Sequence, residues 1–210
     1  GRERESNETL RDDRRDLASR LQDHQRRWRE QQPPVDKRDL LLEDDLLESM
    51  TYLVEDDEPI VVGGPYAGGK RYVAHCLAEM DEKPAEAVVH YDAVRDAPDN
   101  HHAYLFEASE VSNEESDPMD HDFVSVAEKG VFVISSAGLL SDSVLLGLCN
   151  RVEELETRLI LCFHDAAAHE RSVLEGRPNN VVNRLGHREL VISPVNRRLT
   201  ILPAVCEHYI

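Results

Sequence analysis

Hydrophobic and polar positions repeat along this chain with two periods, and these divide it into strands and helices. Amphipathic stretches, with apolar residues at every third or fourth position, predict helices at 39–53, 70–80 and 142–155. Short, nearly continuous apolar runs between them have the length and composition of buried strands, at 59–62, 87–91, 130–134, 158–163 and 189–192. This alternation predicts an α/β fold of three layers around a mostly parallel sheet.

The first 32 residues follow a different pattern, without Gly or Pro after the first position. Their apolar side chains, with His24, occupy the a and d positions of a little under three heptads, at Leu10, Leu17, Leu21 and Trp28. We therefore predict an N-terminal coiled-coil helix over 1–32, with a solvated single helix as the alternative. Pro33 and Pro34 end it, and 33–210 forms the α/β domain. The acidic stretch SEVSNEESDPMDH (109–121) is predicted to be a loop or insert.

Composition narrows the class of protein further. Hydrophobic residues make up 40% of the 210 residues, which is enough to bury a core. No apolar run approaches the roughly 18 residues of a membrane helix, so no membrane partner is expected. The cysteines are widely spaced and form no CxxC pair, at Cys76, Cys149, Cys162 and Cys206. We expect a reduced, cytoplasmic protein without a zinc site or disulfide scaffold.

The charge of the chain is strongly negative and uneven. The formal net charge is −18, yet residues 1–32 hold nine arginines against eight acidic residues. The remaining body is therefore acidic and repels phosphate backbones, which excludes non-specific binding of nucleic acid. Solubility or a salty cytoplasm explains this acidity, and a basic partner is the alternative.

A glycine-rich segment after the first strand matches the phosphate-loop pattern GxxxxGK, from Gly64 to Lys70. Such glycines let backbone amides turn inward and hold phosphate oxygens at a helix N-terminus. The predicted nucleotide-binding residues are Gly64, Ala67, Gly68, Gly69, Lys70 and Arg71. The residue after the lysine is usually Ser or Thr, whose hydroxyl holds magnesium, and Arg71 cannot do this. The sequence therefore favours ATP or ADP but not a magnesium site.

Hydrolysis also needs a pair of acidic residues at the end of a second strand, one for the metal and one to activate water. The strand at 130–134 is followed instead by Ser135 and Ser136. No carboxylate follows until Asp142. We therefore predict weak or absent hydrolysis and assign no catalytic residue.

The order of these motifs resembles the central AAA+ domain of bacterial enhancer-binding proteins, the activators of sigma-54 RNA polymerase. The similarity covers roughly residues 40–210 and is carried by PIVVGGPYAGGKR (59–71), VAH (73–75), YLF (104–106), FVSVAEKGVFVISSAGL (123–139), RLILCF (158–163), and NRLGH (183–187) through ILPAVCEHYI (201–210). The order and spacing of these motifs carry the resemblance.

Departures from the family pattern suggest a degenerate member. The sigma-54-contacting GAFTGA loop is replaced by the acidic stretch 109–121, and the Walker B acids by Ser135 and Ser136. Of the arginines that reach a neighbouring subunit's nucleotide, Arg184 matches the second. The first has no match, although Arg177 lies close. The helical lid and DNA-binding helix-turn-helix would lie beyond residue 210, so DNA would be bound only through another domain.

The resemblance implies a non-hydrolysing regulatory domain of a transcription regulator, acting by nucleotide binding and oligomerisation. Divergent members of the family imply cyclic di-GMP as another ligand, and RNA polymerase or another regulator as partners besides a second copy of the chain. Two alternatives remain: an active P-loop ATPase using unconventional carboxylates such as Asp142 or Asp165, and a purely structural interaction module. The histidines are expected to be structural rather than metal ligands, at His75, His101, His102, His121, His164 and His169.

Overall fold

The structure is a computed structural model. The structure describes residues 35–81, 88–96, 100–106 and 123–194, with the single positions 26, 30, 197, 198, 200, 201, 203, 204 and 207. The predicted coiled coil over 1–32 lies outside the described residues apart from Arg26 and Glu30, which are both helical. The predicted acidic insert at 109–121 also lies outside them.

Five strands form one sheet in which all the described ladders are parallel. Their order across the sheet is β2-β3-β4-β1-β5, so the first strand lies between the last two. The strands are β1 (Ile60–Gly64), β2 (Val88–Asp92), β3 (Val131–Ser135), β4 (Arg158–His164) and β5 (Glu189–Val191). Each predicted strand is therefore confirmed to within two residues at either end.

Helices connect the strands. The α-helices are α1 (Arg38–Leu41), α2 (Asp44–Leu53), α3 (Lys70–Met80), α4 (His101–Phe106), α5 (Asp142–Glu154) and α6 (Asn179–Leu185). Short 3₁₀ turns lie at Val35–Lys37, Val124–Ala127 and Ala137–Leu139. Among the described residues, no helix is both long and apolar enough to cross a lipid bilayer.

Alternate side chains of the strands point to opposite faces of the sheet, and each face has its own hydrophobic core. In β3, Phe132 and Ile134 pack with α5 and α6, whereas Val131 and Val133 pack on the opposite face with α2 and α3. The strands are buried on both faces because helices cover both, which explains their continuous apolar runs. The predicted three-layer α/β fold is confirmed.

The prediction of one continuous helix over 39–53 was wrong. The structure divides it into α1 and α2, with a break at Leu42 and Glu43. Both leucines beside the break, Leu41 and Leu42, are buried. The Glu43 side chain turns away to pair with Arg198, at a distance of 3.1 Å between Glu43 Oε2 and Arg198 Nε. Such a tertiary contact lies outside the local helix propensity that guided the prediction.

Candidate functional site

The glycine-rich segment forms a tight loop between the end of β1 at Gly64 and the start of α3 at Lys70. Gly64 is needed because a Cβ there would lie only 2.8 Å from the backbone oxygen of Ile192. Gly69 precedes the helix in the left-handed conformation, with φ of 88°, which glycine adopts without steric cost. Strand, loop and helix thus have the arrangement that directs backbone amides into the space before α3.

A cavity of about 660 Å³ opens in front of this loop. The loop and the first residues of α3 form one wall, and the carboxyl ends of β2, β3 and β4 form another. In open α/β sheets ligands bind at this edge, where the strands end. All the predicted nucleotide-binding residues except Gly64 line the cavity: Ala67, Gly68, Gly69, Lys70 and Arg71.

Lys70 is buried, with 3% of the residue exposed. Its Nζ donates a hydrogen bond of 3.0 Å to the backbone oxygen of Gly64 and a second to that of Pro65. Burial lowers the pKa of the ammonium group from 10.5 to about 8; the Arg71 charge lowers it further, and the Cys162 thiol opposes the shift. The ammonium is thus a desolvated cation within the loop, which favours an anionic ligand.

Arg71, which follows the lysine, forms an ion pair with Asp92 at the carboxyl end of β2. The Arg71 side chain is 38% exposed, whereas that of Asp92 is 5% exposed. The second carboxylate oxygen of Asp92 accepts a hydrogen bond of 3.1 Å from the backbone N–H of Val94. Both side chains line the cavity, so a guanidinium stands where the phosphate-loop pattern usually has a hydroxyl.

The two serines at the end of β3 also line the cavity. Ser135 Oγ lies 2.8 Å from Nε2 of His90, and Ser136 Oγ lies 3.5 Å from Nε2 of His164. Ser136 has a positive φ of 60°, which turns the chain sharply after the strand. Hydroxyl and imidazole groups thus occupy the place where an ATPase of this fold needs carboxylates.

His164, at the end of β4, stacks against the exposed ring of Tyr66 with 4.6 Å between ring centroids. Burial lowers the pKa of His164 below 6.5, the nearby Lys70 and Arg71 charges lower it further, and Asp92 opposes them. The imidazole is therefore neutral at neutral pH. The stacked pair gives one side of the cavity an aromatic surface.

Arg198 reaches the same cavity from the far end of the chain and is buried. Its guanidinium donates to the backbone oxygen of Gly68 at 3.3 Å and to that of Leu41 at 3.1 Å. These hydrogen bonds link the phosphate loop to α1. Because Glu43 also pairs with Arg198, the buried charge is compensated.

Both predicted inter-subunit arginines make contacts within the chain. Nη1 of Arg177 lies 2.6 Å from Oδ1 of Asp142 and donates to the backbone oxygen of Leu140 at 3.2 Å. Arg184 pairs with Glu153 and keeps 44% of its side chain exposed. Neither lines the cavity. Their role toward a neighbouring subunit stays a prediction.

The carboxylates considered for unconventional catalysis lie outside the cavity lining. Asp142 is paired with Arg177, as described above. Asp165 lies in a turn, where it accepts a hydrogen bond of 2.8 Å from the backbone N–H of Ala167 and pairs with Arg171 at 3.2 Å. Each carboxylate thus has a structural partner.

The described residues fit a magnesium ion poorly. No group of three or more His, Cys, Asp or Glu side chains among them could hold a metal. Magnesium requires oxygen ligands in octahedral geometry, and Asp92 is the one carboxylate among the described residues that line the cavity. Arg71 already contacts that carboxylate and would repel a dication. No step through magnesium is therefore derived.

Asp92 and Arg198 were missed as site residues from the sequence, and so were Tyr66 and His90. A signal existed for Asp92, which directly follows the strand predicted at 87–91 and so had to reach the same sheet edge as the phosphate loop. No sequence spacing points to Arg198, because 130 residues separate it from Gly68.

No protein-family model matches the sequence, and no curated protein matches it. Solved structures do match. NtrX from Brucella abortus in complex with ATP superposes with a TM-score of 0.60 and 15% identity, over 79% of this chain and 40% of NtrX. The chain therefore spans less than half the length of that protein.

Two further structures match over most of this chain. The P-loop NTPase domain of the Sigma-54 transport activator from E. coli has a TM-score of 0.51 and 14% identity, over 72% of this chain and 94% of that domain. AMPPCP-bound DnaA from Aquifex aeolicus has a TM-score of 0.50 and 17% identity, over 79% of this chain and 50% of DnaA. The chain thus has the fold of AAA+ P-loop NTPase domains, and its resemblance to sigma-54 activators is confirmed at the level of that fold.

Proposed function

We propose that this chain is a regulatory AAA+-like domain that binds ATP or ADP at the phosphate loop without hydrolysing it. One observation carries the proposal: the cavity joins a phosphate loop to a strand end that bears Ser135 and Ser136 in place of acids. Lys70 and the loop amides can hold phosphate oxygens. The serines leave this strand end without the two carboxylates that hold the metal ion and activate water in an ATPase of this fold.

The charge of the cavity supports an anionic ligand. Apart from histidine, the described part of the cavity lining contains five charged side chains. One is anionic, Asp92, and four are cationic: Lys70, Arg71, Arg95 and Arg198. Glu43 and Asp92 compensate two of these cations, Arg198 and Arg71, so the excess positive charge of the described lining rests on Lys70 and Arg95, in a chain whose net charge is −18. Low-dielectric walls focus the field of these charges on a bound anion.

The fold neighbours support an adenine nucleotide as the ligand. NtrX was solved with ATP and with ADP, and DnaA with AMPPCP. A nucleotide in the cavity of the present chain would contact loop amides and Lys70 with its phosphates, while Tyr66 offers a stacking surface. Cyclic di-GMP, with two phosphodiesters, is the second ligand class that we propose to test.

We propose that nucleotide binding regulates the contact of this domain with a second copy of the chain, with RNA polymerase or with another regulator. Arg184 is the group proposed to contact the partner's nucleotide, because its side chain is exposed and its ion pair among the described residues is with the exposed Glu153. An exposed pair of this kind contributes little to stability and can be exchanged for a phosphate contact.

The first prediction is binding without turnover. Calorimetric titration of the full chain with ATP, ADP and cyclic di-GMP, each with and without magnesium, should reveal binding of an adenine nucleotide. Phosphate release, measured in parallel at steady state, should not exceed that of the Lys70→Ala variant. As a second readout, ligand at about 100 times its Kd should raise the free energy of unfolding by about 2.7 kcal/mol.

Two variants separate this proposal from the ATPase alternative. Asp142→Asn and Asp165→Asn should leave phosphate release at background, because neither carboxylate lines the cavity. Turnover in the wild type that either substitution removes would favour the ATPase with unconventional carboxylates. If no nucleotide binds, the purely structural module becomes the better description.

The second prediction concerns pH. Bound phosphates stabilise the ammonium form of Lys70, so binding takes up a proton once the pH exceeds the pKa of about 8 in the free protein. We expect the affinity for ATP to fall about 20-fold from pH 7.5 to pH 9.5. Cys162 does not titrate in this window, because burial raises the pKa of its thiol to about 12.

The check is calorimetry at pH 9 in two buffers of different ionisation enthalpy. The apparent binding enthalpies should differ by the amount expected for uptake of about one proton, since most of the free Lys70 is then neutral. An affinity that is flat over this range, with no proton uptake, would show that the Lys70 ammonium does not contact the ligand.

A further inference from the structure

The ion pair between Arg71 and Asp92 joins the first residue after the phosphate-loop lysine to the end of β2. The pair faces the cavity, since both residues line it. Asp92 is nearly inaccessible to solvent, whereas the Arg71 side chain is 38% exposed. The carboxylate therefore holds the guanidinium in place while the guanidinium stays accessible to a ligand.

Arg71 also lies close to the other groups that would surround a phosphate chain. Its charge contributes to the lowered pKa of both Lys70 and His164, which places the guanidinium within electrostatic range of the loop and of the β4 end. A guanidinium has five N–H donors, and Asp92 is contacted through Nη2. Donors remain to recognise phosphate oxygens, a role that suits arginine because of its planar, permanently charged group.

A divalent cation and the Arg71 guanidinium would compete to neutralise the same phosphate oxygens. Two cations a few ångströms apart repel, and the described lining of this cavity offers one carboxylate, Asp92, which already pairs with Arg71, to offset the repulsion. Free ATP carries more negative charge than its magnesium complex. A site with fixed cations and without acidic metal ligands should therefore prefer the metal-free form.

We propose that this site binds a nucleoside di- or triphosphate without a divalent cation, with the Arg71 guanidinium, held by Asp92, contacting the phosphate oxygens that a metal ion would otherwise neutralise. The proposal rests on the nucleotide binding proposed above. It adds the form of the ligand and the group that neutralises it.

The experiment compares three forms of the full chain: the wild type, Arg71→Ser and Asp92→Asn. ATP and ADP are titrated into each one by calorimetry, once in EDTA and once in excess MgCl₂ at matched ionic strength. Both substitutions remove the ion pair between Arg71 and Asp92. Any stability that this pair gives to the loop is therefore lost in both variants. Asn retains an oxygen that can accept the hydrogen bond from the backbone of Val94.

The wild type should bind ATP at least tenfold more tightly in EDTA than in magnesium. Arg71→Ser should lose at least tenfold in EDTA and lose the unfavourable effect of magnesium, because the fixed cation is replaced by a hydroxyl. Asp92→Asn should lose clearly less metal-free affinity than Arg71→Ser, because it releases the guanidinium from its partner but leaves the Arg71 charge in the cavity. Thermal unfolding of each variant checks that it remains folded.

Three results would overturn the inference. Wild-type binding that requires magnesium would do so while leaving the proposed function intact. Equal losses in Arg71→Ser and Asp92→Asn would assign the ion pair to the structure of the loop rather than to the ligand. If neither nucleotide binds in either buffer, the proposed function fails together with this inference.

Discussion

Replacing Arg158 by methionine is expected to lower the free energy of unfolding by about 3–5 kcal/mol. Arg158 begins β4 and is buried, with 3% of its side chain exposed, in an ion pair with the equally inaccessible Asp81 at the end of α3. Its guanidinium also donates to backbone oxygens of Val54 and Asp56. The substitution leaves a buried carboxylate without its cation and frees the segment that leads into β1.

Chemical denaturation of two further variants tests this cause. Arg171→Met removes an exposed arginine from its pairs with Asp165 and Glu175 and should cost less than about 1 kcal/mol. The double variant Arg158→Met, Asp81→Leu removes both buried charges and should regain part of the loss. A single Arg158→Met variant as stable as Arg171→Met would contradict the assignment of the loss to the buried ion pair with Asp81.

Replacing Lys70 by methionine is expected to reduce nucleotide affinity by about 100-fold or more, equivalent to about 2.7 kcal/mol. The substitution removes the buried cation of the loop but keeps a side chain of similar length. The same change should raise the free energy of unfolding by about 1 kcal/mol at neutral pH. Burial disfavours the charged form of Lys70 in the folded state, as its pKa of about 8 against 10.5 indicates.

The sign of this stability effect follows from the linkage between folding and protonation. The pKa of Lys70 in the folded state lies below its value in the unfolded state. The destabilisation by the buried ammonium group is therefore present in full below pH 8 and disappears as the pH rises toward 10.5. Denaturation of the wild type and Lys70→Met at pH 7 and at pH 10 should therefore show a difference that shrinks at the higher pH. A Lys70→Met variant that is less stable than the wild type at pH 7 would contradict the stability prediction. One that still binds ATP with the wild-type affinity would contradict the affinity prediction.

Most of the fold could be predicted from the sequence. The spacing of apolar positions and the residue composition identified the five strands of the described sheet. A strand covered by helices on both faces must be apolar along its whole length. The helix over 70–80 was placed correctly, since a glycine loop defines its start. The break between α1 and α2 was not predicted; at the break Glu43 pairs with Arg198, 155 residues away, a contact that no local pattern shows.

The candidate site was predicted only where its residues are local in the sequence. The phosphate loop is one continuous segment with a fixed spacing, and Ser135 and Ser136 follow an identifiable strand. Both therefore stand out without a structure. The partners that set the chemistry come from other segments: Asp92 lies 21 residues from Arg71, and Ser135 lies 45 from His90.

The sequence by itself thus determined the class of fold, the position of the phosphate loop and the replacement of acids by serines, because each depends on short-range pattern. Tertiary structure alone decided which carboxylate meets Arg71 and which arginine supports the loop at Gly68. It also placed Asp142 and Asp165 in ion pairs outside the cavity. The physical reason is the order of the parallel strands, which brings the ends of β2, β3 and β4 to one edge of the sheet beside the loop after β1.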